Sequence, residues 1–139
     1  MTIKVGDKIP EGTLTQMTEK GPAPISTSEL FGGKKVVLFA VPGAFTPTCS
    51  AKHLPGFVQN ADALKAKGAD VIACMAVNDV FVMNAWGKDQ NVGDKVVMLA
   101  DGSGNFTKTL GLELDLSGLG LGHRSQRFSL IAEDGVVTH

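Results

Sequence analysis

The chain carries two thiols, Cys49 and Cys74, and its chemistry concentrates around the first. The segment reads Val41-Pro42-Gly43-Ala44-Phe45-Thr46-Pro47-Thr48-Cys49-Ser50, between a strand-like apolar run and a helix-like stripe. Cys49 is therefore expected in the first turn of a helix, where unsatisfied N–H groups and partial positive charge favour a thiolate. That placement is a physical route to a lowered thiol pKa and a nucleophile. Thr46, three residues earlier, can turn its hydroxyl toward the sulfur, while Pro42 and Pro47 stiffen the loop and shield a pocket. A lone cysteine is commonly buried and inert; the order strand, proline loop, cysteine, helix is what points to reactivity. His53, four residues after Cys49, shares its helix face, so a thiolate–imidazolium pair for hydrolysis or acyl transfer is a second reading.

The remaining candidates carry less. Cys74 sits inside the apolar run Val71-Ile72-Ala73-Cys74-Met75-Ala76-Val77 and reads as a small core residue. Its alternative role, closing a disulfide with Cys49, needs a Cα separation of about 6 Å, difficult from within a strand. Cys49-x-x-x-His53 is too sparse for zinc, and His123 and His139 follow no ligand spacing, so no metal or cofactor is expected. Gly118-x-Gly120-x-Gly122 precedes a strand instead of opening a helix, so a mobile loop is expected there and not a phosphate cradle. Phe45, Leu119 and Leu121 are apolar residues suited to a pocket rim, a dimer contact or the core.

The elements that must position these groups follow from periodicity and punctuation. Gly12 to Met17 reads as a weak edge strand, followed by a turn-rich Gly21-Pro22-Ala23-Pro24. Ser28 is the expected cap of a short helix stopped at Gly32-Gly33. Lys34 to Val41 and Ala69 to Val77 are apolar enough for strands covered on both faces. Between them Leu54, Phe57, Val58, Ala61 and Leu64 form one helix stripe, with a kink expected at Pro55. Asp79 or Asn78 caps a helix to about Asp89 with Phe81, Val82, Ala85 and Trp86 inward. A strand at Lys95–Ala100, a helix at Asn105–Leu110, a strand at Gln126–Ala132 and an Asp134-Gly135 hairpin complete the chain. Strands alternating with helices predict an α/β sandwich of thioredoxin-like size, a mixed sheet flanked by helices, as one domain over 1–139.

Composition excludes other classes. With 139 residues, 13 Lys+Arg, 14 Asp+Glu and no Tyr, the chain has neither the basic footprint nor the stacking platform of a nucleic-acid binder. Its longest uncharged apolar stretch, Val36 to Phe45, is about half a membrane span. Neither a signal-peptide nor a transit-peptide pattern opens the sequence, so a reducing, cytoplasmic setting is expected.

The pattern Pro42-x-x-x-Thr46-x-x-Cys49 resembles the peroxiredoxin active-site motif. His53-Leu54-Pro55-Gly56-Phe57, the run Val77 to Trp86 and Leu99-Ala100-Asp101-Gly102 resemble the peroxiredoxin-5 or plant type II subfamily. The resemblance implies a thiol peroxidase acting on hydrogen peroxide and alkyl hydroperoxides in antioxidant defence. It makes Cys49 the peroxidatic residue, Thr46 a hydrogen-bond partner of peroxide and thiolate, and Pro42 a shield, with Gly43, Phe45 and His53 at the pocket's edge. It also implies an arginine from a late strand, for which Arg127 aligns better than Arg124. No C-terminal resolving cysteine is present, so an external thiol donor is expected, either glutaredoxin with glutathione or thioredoxin. A homodimer is implied by analogy, and the usual C-terminal helix is expected to be missing after His139. A redox-sensing or chaperone-like module without turnover is the remaining alternative.

Overall fold

The computed structural model describes residues 2–46, 54–93 and 95–139; Cys49 and His53 lie outside them. The elements run β1 (Thr13–Thr18), β2 (Gly21–Ser26), α1 (Thr27–Phe31), β3 (Lys35–Ala40), α2 (Leu54–Ala66), β4 (Val71–Ala76) and α3 (Val80–Asp89). They continue with β5 (Val97–Ala100), α4 (Asn105–Leu110), β6 (Glu113–Leu116), β7 (Gly122–Ser125), β8 (Phe128–Glu133) and β9 (Val136–Val137). Seven strands form one sheet in the order β2-β1-β5-β4-β3-β8-β9, and β6 pairs with β7 apart from it. β3, β4 and β5 are mutually parallel, while the flanking pairs are antiparallel.

The apolar run of β3 explains the layering. Alternate side chains leave opposite faces of a strand. Val37 and Phe39 pack with α2 (Leu54, Ala61) and α3 (Val80, Met83, Trp86). Val36, Leu38 and Ala40 pack with α1 (Leu30, Phe31) and α4 (Phe106, Leu110). Both faces being covered, every β3 position from Val36 to Ala40 is buried. The Phe39 and Phe57 rings stack with centroids 3.9 Å apart, fastening α2 to β3. The predicted α2 stripe is therefore the buried one, and the helix runs from Leu54 to Ala66 with Pro55 in its first described turn.

Four expectations change. The stretch 21–24 is strand, not turn: all six residues of β2 pair with β1, so β1 is interior and β2 is the edge. Pro22 and Pro24 have the same parity, which puts both missing donors on the outer side of an edge strand, where nothing needs them. The cap of α1 is Ser26 instead of Ser28, because Glu29 closes a capping box with it. On α3 the buried face is Val80, Met83, Trp86 and Gly87, while Phe81 is 64% exposed and Ala85 is exposed. Asp79, accepting from the Val82 N–H at 2.8 Å, fixes where that helix starts, whereas side-chain size alone misassigned its inward face. The glycine-spaced stretch is the connection of the β6–β7 hairpin, turning through a single 3-10 turn at Ser117–Leu119.

The turn after β5 depends on a buried carboxylate. Asp101, 4% exposed, accepts from the Phe106 N–H at 3.2 Å and from the Thr107 N–H and hydroxyl, both at 2.7 Å. It caps α4, whose own cap residue, Gly104, offers no side chain. Asp101→Ala leaves three buried donors without an acceptor and is expected to lower stability by about 2–4 kcal/mol. Urea unfolding measures this; a loss below about 0.5 kcal/mol would show that the cap is dispensable.

Candidate functional site

Parallel pairing brings the ends of three strands to one edge. Ala40 faces Met75 and Ala76 faces Ala100, so the segments leaving β3, β4 and β5 emerge together. In open α/β sheets that carboxyl edge is where ligands bind. The segment leaving β3, residues 41–46, starts with the Val41 N–H donating to the Met75 carbonyl at 3.1 Å. It leads directly into the segment that carries Cys49 in the sequence.

Three further hydrogen bonds shape it. The Pro42 carbonyl accepts from Arg124 Nη1 at 3.3 Å. The Ala44 N–H donates to Asn78 Oδ1 at 2.9 Å. The Thr46 hydroxyl donates to the Gly43 carbonyl at 2.7 Å. Phe45 adopts φ 62°, left-handed territory that a bulky residue avoids unless its surroundings hold it there. Its ring is 51% exposed and lies 6.5 Å from the buried Trp86 ring, centroid to centroid. Gly43 lets the arginine approach closely: a Cβ there would stand 2.8 Å from Arg124 Nη1 and 3.2 Å from Thr46 Cγ2 and would push the guanidinium aside.

Arg124 reaches the loop from β7, outside the main sheet, and its Nε–H donates to the Leu121 carbonyl at 2.8 Å. The hairpin that presents it pairs Glu113 to Leu116 with Ser125 to Gly122. At its turn the Ser117 hydroxyl and N–H hold the Asp115 carboxyl below its ordinary pKa, with the facing His123 adding a smaller effect. Beside Arg124 a cavity of about 290 Å³ is also lined by Lys108, His123 and Glu113. A larger one, of about 590 Å³, lies between α3, β1 and β5 and includes none of residues 41–46. Among the described residues no group of three His, Cys, Asp or Glu could hold a metal ion.

The chemistry of the loop is specific. The single hydroxyl proton of Thr46 is committed to Gly43, so toward an incoming molecule its oxygen offers lone pairs and accepts an O–H. The two Arg124 bonds among the described residues leave guanidinium N–H groups for an anion or for developing negative charge. An acceptor on the loop and a cationic donor laid against it from β7 suit a small hydroxylic molecule attacked by a nucleophile. Residues 4–139 match the redoxin family model. Peroxiredoxin-2B of Arabidopsis thaliana is 54% identical over 98% of this chain and 85% of its own length. The chloroplastic peroxiredoxin-2E of the same plant is 54% identical over 98% of this chain. A Vibrio vulnificus peroxiredoxin, solved reduced and in complex with hydrogen peroxide, superposes with TM-score 0.96 at 56% identity, covering 99% of this chain and 86% of that one.

The chain belongs to the peroxiredoxin family. It spans 60% of the length of the chloroplastic peroxiredoxin-2E. The thioredoxin-like sandwich predicted from the strand pattern is the peroxiredoxin fold observed here. Of the site residues named from this peroxiredoxin's sequence, Pro42, Gly43, Phe45 and Thr46 lie together on the loop. Cys49 and His53 fall outside the described residues. Arg127 is exposed, just before β8, whereas Arg124 is half-buried against Pro42 and Gly43. Sequence reasoning missed Asn78 as a partner of the loop; its position directly after a buried parallel strand was the available signal.

Cys74 lies in mid-β4, opposite Phe39 and Met98, with no exposed surface. A charged thiol reagent is therefore expected to leave Cys74 unmodified in the folded peroxiredoxin and to modify it in denaturant. Mass analysis of the peptide carrying Cys74 checks this, and rapid native labelling there would contradict the burial.

Proposed function

We propose that the chain is a thiol peroxidase reducing hydrogen peroxide and alkyl hydroperoxides through Cys49. The observation that carries the reading is the loop geometry: Thr46 Oγ1 is left as an acceptor by its bond to Gly43, and Arg124 lies across Pro42. Family membership and the motif Pro42-x-x-x-Thr46-x-x-Cys49 support the assignment of the nucleophile.

In this reading Thr46 accepts the peroxide O–H and Arg124 faces the charge that develops on oxygen. The Cys49 thiolate attacks one peroxide oxygen, the S–O bond forms and the O–O bond breaks. The leaving hydroxide or alkoxide takes a proton and departs as water or alcohol, and Cys49 is oxidised to a sulfenic acid. An external thiol then attacks that sulfur and water leaves, giving a mixed disulfide. A second thiol reduces it and restores Cys49. The burial of Cys74 within β4 supports a donor from outside the chain, glutathione with glutaredoxin or thioredoxin. Exposed Phe45 and Leu119 suit self-association through the loops beside the site. Arg124 joins Arg127 as an arginine of this reading, since its guanidinium donates to the Pro42 carbonyl.

Peroxide consumption coupled to each thiol donor tests this. Cys49→Ser is expected to abolish turnover and Cys74→Ser to retain it. Arg124→Ala should slow oxidation by about 100- to 1,000-fold, the usual loss when a charge-stabilising donor is removed. Full turnover in Cys49→Ser would sink the proposal.

A further inference from the structure

We propose that Asn78 is a positioning residue for the Cys49 reaction, acting through the Ala44 N–H. The inference deepens the peroxidase reading and rests on it. Asn78 follows β4 and precedes the α3 cap, but the cap is supplied by its neighbour Asp79. The Asn78 side chain is thus not used by its own helix. Its Oδ1 instead accepts from the Ala44 N–H, 34 residues away in sequence, at 2.9 Å.

Both sides of this bond matter. On one side the Asn78 backbone is held between β4, α3 and the turn after β5, where a Cβ at Gly102 would lie 3.7 Å from the Asn78 carbonyl oxygen. On the other side Ala44 immediately precedes Phe45, whose φ of 62° is the unusual torsion of the loop. The direction of the Ala44 N–H and the Phe45 torsion together decide where Thr46 begins. The Thr46–Gly43 bond lies wholly within the loop and cannot orient it relative to the sheet. The Arg124 bond comes from a hairpin outside the main sheet. Among the described residues, beyond the strand ladder and the Val41 N–H, the Asn78 bond is the polar tie between the loop and the sheet's carboxyl edge. Without it Phe45 can relax to negative φ, which swings the Thr46 acceptor away from an incoming hydroperoxide. The Asn78 amide touches no reacting atom in this scheme; it sets the place of the group that does.

The test separates oriented from unoriented reactions at one sulfur. Peroxide oxidation needs the Thr46 acceptor, whereas alkylation by iodoacetamide does not. Both rates are followed at the peptide carrying Cys49 in the full chain, for wild type, Asn78→Ala and Asn78→Asp. Asn78→Ala is expected to lose about 100-fold in peroxide rate, the scale of a misplacement of about 1 Å, with an unchanged alkylation rate. Asn78→Asp keeps an acceptor oxygen and is expected to recover most of the peroxide rate. Should Asn78→Ala not fold, Asn78→Ser, whose side chain is too short to reach Ala44, carries the same comparison. A wild-type peroxide rate in the shortened variant, or an equal fall in both reactions, overturns the positioning role. A wild-type chain inert to peroxide overturns the peroxidase reading itself.

Discussion

The parallel alignment of β3, β4 and β5 is the constraint on which the rest of the molecule depends. Parallel neighbours must all end at the same edge, so three connections that are far apart in sequence begin side by side. The proline loop, the Asn78-Asp79 pair and the Asp101 turn are those three connections. Burial on both faces of β3 and β4 leaves no room for slippage, since a shift of one residue would exchange the two faces. The precision of the edge is therefore inherited from the core and not built locally.

The loop conformation is a contest that can be weighed. A left-handed bulky residue such as Phe45 costs about 1–3 kcal/mol. Against it stand the bonds to Asn78, Arg124 and Gly43, each of about 0.5–1.5 kcal/mol net. Their sum is of the same order as the cost, so the loop is held but not by a wide margin. Packing of Phe45 against Trp86 adds to the holding side. A site poised in this way can keep its acceptor and its cation in place before any substrate arrives, which is what preorganised catalysis requires.

Much of this was legible in the residues. Runs such as Val36–Val41 and Val71–Ala76 could hardly be anything but covered strands, and the Asp134-Gly135 turn takes the positive φ values its residues allow. What failed depended on neighbours. Proline made 21–24 look like a turn, and only pairing with β1 shows that an edge tolerates it. β6 alternates polar and apolar residues over just four positions and β7, Gly-His-Arg-Ser, does not alternate at all, too weak a signal to outweigh the glycines between them. That miss carried over to the site, because without the hairpin Arg124 looks like a solvated side chain, whereas its guanidinium reaches the Pro42 carbonyl. Asn78 was read only as half of a possible cap; its use by a loop 34 residues away is a tertiary fact.

Trp86 gives the molecule one more property. It is the single indole of the chain, it is fully out of water, and its ring neighbours that of Phe45. The residue that anchors α3 in the core is thus also an intrinsic optical reporter. A movement of the adjoining loop that shifts the Phe45 ring changes the surroundings of the indole, so its emission can follow the state of that loop without a label.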